Sequence, residues 1–95
     1  MADTVSIAEA SVPDLPRGVR LKFDEPRDQW VLLAPERMFV LDKIALEIVK
    51  CCNGEASVAT IADDLSARFG APRDTVAKDI ITLLQDFADK GVIAA

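Results

Sequence analysis

The 95-residue chain contains neither histidine nor tyrosine, so any chemistry must come from carboxylates, amines, guanidinium groups and the two adjacent thiols Cys51 and Cys52. Without an imidazole, the hydrolase triad, the Cys-His nucleophile and the usual zinc nitrogen ligand are all unavailable. The carboxylates that could serve as metal ligands or acid/base groups are Asp63-Asp64 and the Asp86/Asp89 set, and their spacing is that of a solvated helix face. Adjacent cysteines cannot frame a fold as a disulfide pair does, and beside an apolar stripe they read as small buried hydrophobes. No catalytic residue, metal site or cofactor is therefore expected, and a non-catalytic binding role becomes the reading to test.

The elements that would position a binding surface follow from periodicity. Residues 1–16 carry small and acidic residues with Pro13 and Pro16 and no sustained period, which predicts a flexible lead-in to a single domain over residues 17–95. From Val19 the chain alternates, with Val19, Leu21 and Phe23 on one side and Arg20, Lys22 and Asp24 on the other, the signature of a half-buried strand. Asp24 to Asp28 supplies turn residues, and Gln29 to Ala34 reads as a second, more deeply buried strand. Pro35 suits a type I turn, and Met38-Phe39-Val40 follows as a short third strand. From Leu41 the period becomes helical, with Leu41, Ile44, Ala45, Ile48, Val49 and Cys52 in register, Asp42 as N-cap and Asn53-Gly54 as a left-handed stop. Ser57 can cap a second helix striped by Val58, Ile61, Ala62, Leu65 and Phe69 and stopped by Gly70. A third, from Pro72 or Asp74 to Lys90, is striped by Val76, Ile80, Leu83, Leu84 and Phe87 and stopped by Gly91. The expected architecture is α+β and winged helix-turn-helix-like: a three-stranded antiparallel sheet followed by three helices.

Four segments read together carry a family resemblance: Leu15-Pro16-Arg17-Gly18-Val19-Arg20-Leu21, Trp30-Val31-Leu32-Leu33-Ala34-Pro35-Glu36-Arg37, Cys52-Asn53-Gly54 and Lys90-Gly91. They resemble the pyrroloquinoline quinone biosynthesis protein D family over roughly residues 15 to 93. The chain departs from the family pattern at Asn53, where Asp is expected, and at Lys43, where a small polar residue is. The resemblance implies a recognition element for ribosomally made, post-translationally modified peptides (RiPPs), a peptide chaperone that binds the precursor peptide PqqA and serves the radical SAM enzyme PqqE in pyrroloquinoline quinone biosynthesis, itself catalysing nothing.

An open strand edge presents unpaired N–H and C=O groups that an extended peptide can satisfy as an added strand. The resemblance places the groove between the third strand and the third helix. On the strand this selects Arg37, Met38, Phe39, Val40 and Leu41, where Met38 and Val40 face one way, Phe39 and Leu41 the other, and either pair can be the one that joins the core. On the helix the central stripe is assigned to the core, leaving Ala77, Lys78, Ile81, Gln85 and Ala88 as groove candidates, Ile81 foremost because it widens the apolar arc. Without the resemblance Met38, Phe39 and Ile81 would read as plain core, as Trp30 does in its buried strand.

Charge separates the alternatives. The helix-turn-helix invites a DNA-binding reading, yet the third helix sets Arg73, Lys78 and Lys90 against Asp74, Asp79, Asp86 and Asp89, and the whole chain stands at −5. A DNA reader needs a basic footprint, so no nucleic-acid partner is expected. Arg17, Arg20, Lys22, Arg27 and Arg37 could steer an acidic peptide, but they interleave with Asp24, Glu25, Asp28 and Glu36 as a solvated face does. A self-associating adaptor is the other alternative, because an edge that accepts a peptide can also pair with a second copy or swap strands. No apolar run approaches membrane length and Met1-Ala2-Asp3-Thr4 lacks the features of a secretory signal, so a cytoplasmic protein with no membrane partner is expected.

Overall fold

The computed structural model describes residues 6–95, and the order of elements is β1 (Arg20–Asp24), β2 (Gln29–Ala34), β3 (Arg37–Leu41), α1 (Lys43–Lys50), α2 (Val58–Phe69) and α3 (Arg73–Asp89), with a single 3-10 turn at Glu25–Arg27 between β1 and β2. The strands form an antiparallel meander in the order β1-β2-β3, so β3 is an edge. Its register pairs Phe23 with Trp30 and Leu32 with Phe39, which puts the apolar alternations of all three strands on one face. The Phe23 and Trp30 rings lie 5.3 Å apart, a cross-strand aromatic pair that fixes the hairpin.

The β2–β3 turn differs from the type I turn expected for it. Glu36 sits at φ 64°, in the left-handed region, directly after Pro35. Proline at the first central position followed by a positive φ at the second is the type II arrangement, which ordinarily calls for glycine.

Each helix starts and stops for a local reason. Asp42 caps α1, its carboxylate accepting from the Ala45 N–H at 2.7 Å, and Leu41, expected at the head of the helical stripe, belongs to β3 instead. The Ser57 hydroxyl accepts from the Thr60 N–H to cap α2, and Gly70 closes α2 in a left-handed conformation. At the end of α1 the cap residue is Cys51 in right-handed conformation; Asn53 then accepts the Glu55 and Ala56 N–H groups and turns the chain toward α2. The core joins Leu32, Leu41, Ile48, Val49, Val58, Ile61, Leu65, Ile80, Leu84, Phe87, Val92 and Ile93 between the sheet and the helices, and the buried set of described residues contains no polar side chain.

Residues 1–5 of the expected flexible lead-in lie outside the described residues, but the rest of it is packed onto the body. Ile7 is buried in the core and its N–H donates to Gln85 Oε1 at 2.8 Å. Glu9 pairs with Arg73 at 2.7 Å. The first N–H groups of α2, which have no partner within the helix, donate to this segment: Val58 to Ser11 O at 2.8 Å and Ala59 to Glu9 O at 2.9 Å. Pro13 is fully buried, and Asp14 exchanges two backbone hydrogen bonds with Ala94, tying the segment to the far end of the chain. Composition alone hid this strap, because its binding is through backbone carbonyls that any residue type supplies.

Candidate functional site

The alternation of β3 resolves into a core pair and a solvent pair. Leu41 is buried and Phe39 half-buried against the core, whereas Met38 and Val40 are exposed. The Phe39 ring meets Phe87 of α3 at 5.8 Å, and the Arg37 guanidinium donates to Lys90 O at 2.7 Å, so β3 and α3 touch through side chains at the carboxyl end of the helix. Arg37 and Lys90 each stand over the Phe39 ring, at 5.7 Å and 5.8 Å, giving the aromatic floor two cations at its rim.

Helical spacing extends this contact along one flank of α3. Residues three, four and seven apart share a face, so Leu83 stands between Phe87 and the pair Val76 and Asp79. At the amino-terminal end of that flank Val76, Asp79 and Ile80 join Ile44, Ile48, Leu65 and Phe69 around an apolar crevice of about 150 Å³. Ile44 and Phe69 are both exposed there. Phe39 at the strand edge thus lies at one end of this flank and the crevice at the other, with half-buried Leu83 between them by helical spacing; this apolar flank, the trench, is bordered by Arg37, Lys90, Asp86 and Asp79.

The structure brings Arg37, Met38, Phe39, Val40 and Leu41 together at this edge but sets the five helix candidates on the other flank of α3. Ala77, Lys78 and Ile81 line a depression with Glu9, Asp74 and Thr82, and Gln85 accepts from Ile7. Ala88, seven residues beyond Ile81, lies on the same side. That flank meets the strap rather than β3, and Ala77 is buried outright. The α3 residue that meets β3 is Phe87, and helical spacing continues its flank through Leu83 to Val76; sequence alone places all three in the central stripe. Phe87 is buried and Val76 and Leu83 are half-buried; this could not be read from sequence, because α3 is apolar over three adjacent columns and nothing in its own periodicity tells which outer column the sheet approaches.

The two thiols are held in the protonated form. Burial holds the Cys52 thiol up to about 12, and the Cys51 thiol is also raised, first by burial and then by Asp64. Cys52 donates to Ile48 O at 3.4 Å as a small core residue. Among the described residues no group of three or more Cys, Asp or Glu could hold a metal ion, and no helix is long and apolar enough to cross a membrane. The arrangement offers backbone hydrogen bonds along an edge, an apolar floor and a charged rim, which is equipment for holding an extended chain.

Residues 29–93 match the family model for coenzyme PQQ synthesis protein D (PqqD). The chain belongs to the PqqD family. It is 51% identical over 89 residues to the PqqA binding protein of Bradyrhizobium diazoefficiens, spanning 94% of this chain and 86% of that one. It is 39% identical over 87 residues to that of Gluconobacter oxydans, spanning 92% and 91%. Among solved structures it is similar to the PqqD truncation of Methylobacterium extorquens PqqCD, a stand-alone RiPP recognition element, with a TM-score of 0.82, 42% identity and coverage of 94% of this chain and 95% of that one. PqqD from Xanthomonas campestris gives a TM-score of 0.61 at 43% identity, covering 94% and 99%. The βββααα order expected from periodicity is thus the PqqD fold, and the resemblance read from Trp30 to Arg37 and its companion segments is a family relationship.

Proposed function

We propose that this chain is a peptide chaperone that binds a PqqA-type precursor peptide as a fourth strand on β3 and delivers it to the radical SAM enzyme PqqE in the cytoplasm. The observation that carries the reading is the open edge Arg37–Leu41, whose inward Phe39 meets Phe87 on the apolar flank of α3. An added strand pairs its backbone with β3, which supplies affinity whatever the side chains, and places alternate side chains in the trench, which supplies selectivity. Arg37 and Lys90 at the rim favour an acidic group at that end of the peptide, and Ile44 and Val76 favour an apolar one at the other. The relatives named as PqqA binding proteins support the choice of ligand.

The test is a backbone amide NMR titration of labelled protein with the PqqA peptide. Shifts concentrated on Arg37 to Leu41 and on the Val76, Leu83 and Phe87 flank of α3 are expected. Shifts confined to the Ala77, Ile81 and Gln85 flank would move the site under the strap, and a silent spectrum at saturating peptide would end the assignment. Light scattering over a concentration series, with and without peptide, shows whether a second copy competes for the same edge.

A further inference from the structure

The outer face of the sheet, turned away from the core, changes character across its width. Strand alternation and register place Arg20, Lys22 and Asp24 of β1 there, then Gln29, Val31 and Leu33 of β2, then Met38 and Val40 of β3. All its charges are on β1, and from β2 to the open edge it is apolar apart from Gln29 at the first position of β2. Exposure rises in the same direction. Val31 is 1% exposed although it is no part of the core cluster, so its neighbours on the outer face are what cover it. Leu33 is half-buried, Met38 is 45% exposed and Val40 53%. A central strand has each side chain flanked from both sides, whereas an edge strand lacks one flanking row. The gradient is that of an apolar sheet face missing its next strand. Protective edges usually carry charge or proline, and the outward residues of β3 carry neither.

We propose that Met38 and Val40 are a second reading surface for the bound peptide, taking its outward-facing apolar side chains while the trench takes the inward ones; this rests on the strand-addition reading given above. In an added strand, successive residues point to opposite faces, and those pointing outward come to lie about 5 Å, Cβ to Cβ, from Met38 and Val40. The class of ligand is thereby narrowed. A strand covered on one face alternates apolar and polar, but one contacted on both faces reads as a near-continuous apolar run. The segment recognised is a short extended stretch, apolar at successive positions and free of proline, and an alternating amphipathic strand of equal length binds less well. The occupant is the peptide and not a separate protein, because the exposed part of the patch is the row next to the edge that the peptide occupies.

The experiment combines methyl NMR of protein labelled at Met and Val methyl groups with binding of the PqqA peptide to the double variant Met38→Gln, Val40→Thr. These substitutions keep shape and strand propensity at exposed sites, so the variant is expected to give a native amide spectrum. Intermolecular contacts from peptide side chains to the Met38 and Val40 methyl groups, with affinity for PqqA reduced roughly three- to tenfold in the variant, are the expected results. If the β3 amides shift but those methyl groups gain no contact and the variant binds as tightly, the outer-face inference is wrong and strand addition stands. If the β3 amides do not shift at all, both fall. If the methyl groups respond only when PqqE is added, the patch belongs to the enzyme and the inference is overturned.

Discussion

At the residue scale, single side chains hold this fold in places where their type alone says little. Glu36 adopts φ 64° after Pro35, a conformation that costs an L-residue roughly 1 kcal/mol and glycine almost nothing. Replacing Glu36 by Gly is expected to change stability by less than about 1 kcal/mol, with strain relief offset by the entropy of the unfolded glycine, whereas Glu36→Val destabilises by more; urea denaturation of the pair measures both. Gly54 is a different case: φ is 77° and an added Cβ would meet Asp14 Oδ2 at 2.8 Å, so Gly54→Ala adds backbone strain and turns the Asp14 carboxylate aside. The thiols give a pH prediction. The ordinary value of 9.0 rises to about 12 for Cys52 because burial penalises the thiolate. A folded-state value above the unfolded one means the thiol's contribution to stability is intact below pH 9 and is lost as the pH climbs from 9 toward 12. Cys52 should accordingly resist thiol reagents at pH 8 until the protein is denatured, with half-buried Cys51 reacting first; mass spectrometry after timed alkylation distinguishes them.

At the element scale, the helices and strands were legible because each is written redundantly. β1 alternates, α1 carries Asp42 as a cap, and α2 is bracketed by Ser57 and Gly70, so period and punctuation agree. Removing the cap with Asp42→Ala is expected to cost about 1 kcal/mol in thermal or urea unfolding. The flank of α3 that meets β3 was not legible, since Val76, Leu83 and Phe87 on one side and Ala77, Ile81 and Ala88 on the other are equally apolar and helical period is blind to which neighbour arrives. That difference makes a paired test. Leu83→Ser is expected to weaken PqqA binding about tenfold with a modest loss of stability, while Ile81→Ser leaves binding within about twofold, as judged by isothermal titration.

At the scale of the whole molecule, the sheet and the helical layer meet over one core, and the strap from Ile7 to Asp14 closes the side of that core opposite the trench. Its role escaped the sequence because it is made of backbone carbonyls accepting from Val58 and Ala59, a buried Pro13 and a single apolar anchor. Ile7 burial is worth about 2 kcal/mol and each lost backbone bond about 1. Deleting residues 1–12 is therefore expected to lower stability by about 3 to 4 kcal/mol, a fall of at least 10 °C in Tm by differential scanning calorimetry. Because the strap and the trench lie on opposite flanks of α3, the ion pair of Glu9 with Arg73 can be broken by Glu9→Gln without touching the β3 edge.

The mutual hydrogen bonds of Asp14 and Ala94 also bear on when the protein becomes itself. The amide of Ile7 waits for Gln85, 78 residues further along, and Asp14 waits for Ala94, so both contacts form only after the residues between them have been made. The β1–β2–β3 meander can pair as it emerges, but the core that anchors it closes only after translation has passed residue 94. Until then the outward and inward rows of β3 are both open, and the nascent chain exposes both faces of that strand.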